Sequence, residues 1–394
     1  MPNRKKISAI VTTYYPRSHA DVIVTKFLKG FPCDDGLHAP QVDIVSMYLD
    51  QIHENDVGVE LARVHDFPIF PSIPGALTLG GKDLAVDGVL IIGEHGDYAW
   101  NEKEQHMYPR RFFFEQVCGV FATSGKSVPV FSDKHLAYNW DNARLMYDRA
   151  SELSVPFMAG SSLPLAWRNP WLEYEVGIPI QEAVSVAYGG LDSYGFHALE
   201  LLQCMVERRA GGETGISAVQ CLEGAAVWQA RQDGLWSSDL FENAIEHIED
   251  RRSDTAEDAC QNPAVFLIEF ANGLKTATFV LSGFLKGWGF SGRTDGGVQA
   301  TEVFLGNDPY PHFSYLGLNI QKMFLTGLPQ YPVERTLLVS GALDALMDSR
   351  YQGHSRIETP HLDVSYQPAE QSSIRPSGPR PAGASLVPIV PGRN

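Results

Sequence analysis

Short apolar runs alternate with longer amphipathic stretches over the first 160 residues. Lys6 to Val11, a β-branched run, Val42 to Tyr48, Gly88 to Ile92, which reads as buried, Val128 to Phe131 and Pro156 to Ala159 are expected to be strands. Between them, Asp21 to Leu28, Asp56 to His65, Arg110 to Thr123 and Asn139 to Leu153 carry apolar residues at helical spacing. Strands separated by helices require crossovers, which predicts a mainly parallel, Rossmann-like sheet covered on both faces.

The pattern changes after Arg168. Ala183 to Tyr188, Gly215 to Leu222, Ala225 to Ala230, Val265 to Phe270, Lys275 to Ser282 and Gln299 to Leu305 are strand-like, and Phe270-Ala-Asn-Gly-Leu274 signals a hairpin. A helix from Phe196 to Arg208 interrupts them, and Tyr315 to Leu325 and Glu334 to Tyr351 look helical. The fold class expected is α/β: a Rossmann-like domain over 1–160, then an α+β domain over 161–366 with an open, largely antiparallel sheet. The stretch 367–394, rich in Pro, Ser, Gly and Ala, reads as a tail that lacks structure of its own or crosses onto a neighbouring subunit.

Composition narrows the class of partner. The 394 residues are 44% hydrophobic with a net charge of -16, which gives ample core and an acidic surface. Such a surface argues against nucleic acid or anionic membrane as partner. The N-terminus lacks the apolar length of a signal peptide, and no run reaches the roughly 18 apolar residues of a spanning helix. Five well-separated cysteines without a CxxC pair read as reduced thiols, and the expected location is the cytoplasm.

Candidate chemistry gathers at strand ends. Val128 to Pro164 runs from an apolar strand into Asp133-Lys134-His135, then a helix, then a strand ending in Ala-Gly-Ser-Ser. A lysine at the carboxyl end of such a strand points at the crevice where open parallel sheets bind ligands. Desolvated there, Lys134 can act as general acid or base. The strand Gly88–Ile92 ends at the same face in Gly93-Glu94-His95-Gly96-Asp97, where carboxylate and imidazole could bind substrate or a divalent metal. No HExxH or i,i+4 histidine pair supports the metal, so none is assigned. Arg110 and Arg111 could clamp a carboxylate, and Trp167 offers a flat face for a sugar or for packing.

The order of these segments resembles the glucose-fructose oxidoreductase / inositol dehydrogenase (Gfo/Idh/MocA) family. Ser132-Asp133-Lys134-His135-Leu136-Ala137 resembles the family's Glu-Lys-Pro-Leu-Ala segment, with His135 where the family has proline. Gly195-Phe196-His197-Ala198-Leu199-Glu200 resembles its Gly-x-His-x-x-Asp, with Ser193 at the spacing of the usual aspartate and Asp192 one residue earlier. Gly327-Leu-Pro is a third, weaker match. The resemblance implies Lys134, His197 and Asp192 as catalytic residues. It implies a sugar, polyol or sugar-acid substrate, with Arg168 toward the cleft, and a homo-oligomer formed through an exposed sheet face; the residues themselves add Glu94, His95 and Asp97 as substrate contacts, Tyr194 as a further donor and Glu200 as a group that could orient His197. NAD or NADP would sit against Thr12, Arg17, Ser18, His19, Asp50 and Gly93.

The cofactor loop departs from the pattern. Where a dinucleotide fold has G-x-G-x-x-G, this chain reads Val11-Thr-Thr-Tyr-Tyr-Pro-Arg-Ser-His19, with no glycine. Two chemistries remain open. One is an oxidoreductase whose rebuilt loop still holds the cofactor. The other is a non-redox lyase, hydratase or epimerase working in the same cleft. A sugar sensor built on a dead dehydrogenase would lack the lysine or the histidine, and both are here.

Overall fold

The computed structural model describes residues 4–370, 374–376 and 383–389. Lys5–Val11 is the central strand of a six-stranded parallel sheet, buried from Ile7 onward on both faces. Across the sheet the order is Ile69–Phe70, Val42–Leu49, Lys5–Val11, Gly88–Ile92, Val130–Asp133 and Phe157–Gly160. Numbered along the chain, that is 3-2-1-4-5-6, the doubly wound order whose direction reverses between the first and fourth strands. One face packs Ile10, Ile91 and Val130 with Phe113 and Phe114 of the helix Arg110–Ser124. The other packs Ile7, Leu90 and Phe131 with the helix His19–Lys29 and with Pro311–Thr326, which returns from the far end of the chain.

The second sheet has eight strands. All its neighbours are antiparallel except Ile180–Ala187 with Lys275–Val280. The expected hairpin forms between Phe270 and Lys275, with Gly273 at φ +89° completing the turn. The helices Ser193–Val206 and Val333–Tyr351 fill the space between the two sheets, and their apolar residues join the core of the first.

Three expectations are corrected. Ala225–Ala230 is not a strand: Ala225–Gln232 is a helix that buries Val227, Trp228 and Ala230. Together with a helix at Ser238–Glu246, it covers the far face of the second sheet, where Val184, Val186, Val265, Leu267 and Phe279 lie beneath Trp236 and Phe241. The sheet face expected to be exposed for self-association is therefore sealed by the chain itself. The tail pieces within the described residues also fold back on their own chain. Leu37 N–H donates to Val387 O (2.8 Å), Ile389 N–H to Leu37 O (3.1 Å) and Ser385 N–H to Cys33 O (2.7 Å). All five cysteines are free and buried, and no described helix is long and apolar enough to cross a membrane.

Candidate active site between the two sheets

The carboxyl ends of the parallel strands open into a cleft of about 740 Å³ whose other wall comes from the second sheet and the start of Ser193–Val206. Lys134 and His197 both line it, as do Asp192 and Tyr194. Lys134 follows its strand directly, with its N–H bonded to Gly160 O (3.1 Å) and its φ at +60°. Arg17, His95 and Tyr310, which also line the cleft, share that left-handed backbone. For residues with a Cβ this costs on the order of 1–3 kcal/mol each, and such strain gathers at binding sites.

Glu94 organises the floor. Its Oε1 accepts from Lys134 Nζ at 2.8 Å, and its Oε2 is bonded by Arg110, which in turn meets His135 Nε2 at 3.1 Å. Glu94, Lys134, Arg110 and His135 are all buried. Burial alone would raise the Glu94 carboxyl, but Lys134 and Arg110 outweigh it and hold the group well below the usual carboxylate range. Arg110 thus clamps a carboxylate of this chain itself, while Arg111 pairs with Glu115 on the surface.

The imidazoles go the other way. Burial, reinforced by Lys134 and His19, drives His197 well below its ordinary value. Burial and His19 lower His95 to about 4, and burial and Lys26 lower His312 to about 3. These rings are neutral near pH 7 and can accept a proton. Burial raises Asp192, which caps its helix by position alone and accepts from His106 N–H (3.1 Å). His95 Nε2, His135 Nδ1, Asp192 Oδ1, His197 Nδ1 and His312 Nδ1, all on residues that line the cleft, are buried and find no partner among the described residues. Unpaired buried polar atoms are costly, and so many on residues around one cavity suit a ligand rich in hydroxyls.

Other expected residues fall elsewhere. Glu200, one turn beyond His197, points at the strand end and accepts from Ser161 N (2.9 Å) and Oγ (2.5 Å), so it does not orient the histidine. Arg168 is buried behind the cleft, donating to Leu172 O (2.8 Å). Asp97 is exposed and outside the cleft, its backbone tied to Gln51, so Glu94, His95 and Asp97 do not converge on a metal. Trp167 is core, packed against Tyr315. Aromatic residues that do line the cleft include Trp100 and Trp288, which lie outside the segments expected to carry chemistry.

The residues expected to hold a dinucleotide divide in the same way. Arg17 and His19 line the cleft, and His19 Nδ1 is bonded to Asp133 at 2.6 Å. Thr12 is buried and donates to Glu94 O (2.6 Å), and Gly93 lies tight under Arg110. Ser18 caps the helix His19–Lys29, accepting from Asp21 N (3.3 Å) and Tyr15 N (3.2 Å). Asp21, in the helix's first turn, accepts from Arg17 N (2.8 Å) and Thr25 Oγ1 (2.8 Å). A carboxylate therefore stands where the helix N-terminus would otherwise receive a phosphate. Asp50 accepts from Tyr48 Oη (2.5 Å) and Tyr98 Oη (2.6 Å), and the Tyr15 ring packs tilted (32°) against His53 at 4.3 Å. Ser18, Asp21 and Asp50 are thus already hydrogen-bonded within the chain, although Asp50 stays exposed, and the loop has no glycine at which a pyrophosphate could approach the backbone.

No family model and no curated protein matches the sequence. Solved structures match its fold along nearly the whole chain. GenD2 from gentamicin A biosynthesis, in complex with NAD, aligns at 16% identity over 91% of this chain and 97% of its own, with a TM-score of 0.56. The scyllo-inositol dehydrogenase of Lactobacillus casei with bound NAD(H) and scyllo-inositol aligns at 10% identity over 90% and 99%, with a TM-score of 0.56. The myo-inositol dehydrogenase of the same organism, with NAD(H) and myo-inositol, aligns at 9% identity over 90% and 97%, with a TM-score of 0.55. At these identities what is shared is the fold: the two-sheet architecture of NAD-dependent polyol dehydrogenases that the motif resemblance implies.

Proposed function

We propose that the cleft is an active site that binds a sugar, polyol or sugar acid and moves a proton at a hydroxyl-bearing carbon, with Lys134 and His197 as the reacting pair. The observation that carries this reading is their convergence. Two side chains far apart in sequence line one interdomain cavity, with a buried carboxylate anchoring one and a neutral imidazole supplied by the other. The neutral His197 accepts a proton from a substrate hydroxyl or from a carbon beside a carbonyl. The Lys134 ammonium, held by Glu94, faces the oxygen on which charge develops.

The fold implies an oxidoreductase using NAD or NADP, as in the dehydrogenases it resembles. The engagement of Ser18 and Asp21 in their own helix start and of Asp50 with two tyrosines, together with a loop that lacks glycine, supports the other chemistry. The function this cleft supports best is non-redox: epimerase, lyase or hydratase chemistry on a carbohydrate-like substrate, carried on a dehydrogenase fold.

Cofactor titration separates the two. Purified protein, denatured and analysed by mass spectrometry, is expected to release no nicotinamide dinucleotide, and NAD(H) and NADP(H) at millimolar concentration to leave its fluorescence unchanged. Tight binding of either would restore the oxidoreductase reading. Lys134→Ala is expected to abolish turnover on either chemistry, and unchanged turnover would remove the pair from the mechanism.

A further inference from the structure

We infer that the cleft holds more than one sugar ring, with a distal ring stacked on Trp100, so that the substrate is a glycoside of two or more residues. This rests on the carbohydrate reading above and adds the length of the ligand.

Trp100 lines the cleft yet is 60% exposed. An indole left in water is ordinary on a loose loop, but this one is mounted on a tightly built hairpin. Trp100 pairs with His106 across it, Asn101 N–H donates to Gln105 O (3.0 Å), and Met107 N–H to Ala99 O (2.9 Å). The Asn101 carboxamide accepts from Lys103 N (3.0 Å) and Gln105 N (2.9 Å). Gln105, buried, donates to Tyr138 O (2.6 Å), and Lys103 bonds Asp344 (3.1 Å) and Asp348 (2.7 Å) on the long C-terminal helix. So much fixed structure presents the indole in one orientation, which lowers the ordering cost of a ligand stacking on it.

The indole is backed by His106 (4.2 Å, 19°), and His106 by Tyr108 (4.0 Å, 33°), whose ring receives the Arg110 guanidinium at 4.9 Å. Arg110 is the partner of Glu94, so a continuous stack runs from the cleft mouth to the group that anchors Lys134. A second platform stands beside the reacting pair: Tyr194, 38% exposed, lies parallel to the buried Trp288 behind it (5.8 Å, 11°) and 6.2 Å from the His197 ring. Aromatic faces at the mouth and beside His197 give two stacking surfaces for the C–H faces of sugar rings. The volume, about 740 Å³, lies toward the upper end of ligand pockets and leaves room for both rings.

Isothermal titration calorimetry with a panel of free hexoses and hexuronic acids, and of the disaccharides built from them, tests this. The best disaccharide is expected to bind about tenfold tighter than its parent monosaccharide. Trp100→Ala is expected to bring the disaccharide down to the monosaccharide level, and Trp100→Phe to keep most of the gain. Sugars that bind with no gain from length, or a gain that survives Trp100→Ala, would overturn the inference and leave the carbohydrate reading standing. No binding across the panel would overturn both.

Discussion

Glu94 holds two buried cations, Lys134 and Arg110. Removing one partner of a buried ion pair costs about 3–5 kcal/mol, because the survivor keeps its desolvation penalty. Glu94→Gln strands both Lys134 and Arg110, whereas Lys134→Ala leaves Glu94 still bonded to Arg110. Both variants should lose turnover, but Glu94→Gln should lose several kcal/mol of stability and Lys134→Ala distinctly less. Urea denaturation of the two reads the difference, and equal losses would mean that Arg110 finds its charge balance elsewhere. That Lys134, His197 and Asp192 share a cleft was legible in the sequence because each sits beside a strand end or helix start within a short motif. Glu94 stood out only as an unusual polar residue after an apolar strand; its partner Arg110 lies 16 positions away, and nothing in a linear pattern couples them. Trp100 and Trp288 lie in irregular segments without periodicity, so no pattern marked them as cleft walls. Thr12, Ser18, Asp50 and Gly93 were assigned by their place in the fold, and position does not reveal that their atoms are already bonded within the chain.

At the scale of elements, the helix Ser193–Val206 does two jobs from adjacent turns. Its first turns present His197 to the cleft, while Glu200 grips Ser161 at the end of the last parallel strand. Burial pushes the Glu200 carboxyl up to about 7, from an ordinary value of 4.5. Its contribution to stability is therefore full below about pH 4.5 and is lost as pH rises through about 7. The difference is worth roughly 3 kcal/mol at about 1.4 kcal/mol per pH unit. Glu200→Gln keeps an acceptor for Ser161 without the ionisation. Relative to the parent, it should gain about that amount between about pH 5 and pH 8 in denaturant titrations. A gap that stays constant with pH would show that Glu200 does not titrate in this range. The cleft histidines titrate in the opposite sense, losing stability as pH falls below about 6.5, so the difference from the parent is the quantity that isolates Glu200. Sequence patterning found this helix but misread Ala225–Gln232, because a short apolar run with tryptophan satisfies strand and helix templates alike. Tertiary packing against the second sheet decided it.

For the whole molecule, the alternation of strands and helices in the first 160 residues dictated the doubly wound sheet, and the hairpin signals dictated the antiparallel one. The cover over the second sheet was not legible, since which face a helix seals is set by contacts between distant segments. Trp228, Trp236 and Phe241 cover the sheet face that was expected to be open for self-association. Light scattering should find no association through this face. Trp236→Ala with Phe241→Ala should uncover Phe279 and produce aggregation or new dimers, while a parent protein already dimeric through these residues would contradict the sealed face. The consequence reaches the saturation curve. With that route to a neighbouring copy closed, a ligand entering one cleft has no sheet-to-sheet interface through which to alter the next. Occupancy should then rise hyperbolically, with a Hill slope of about one.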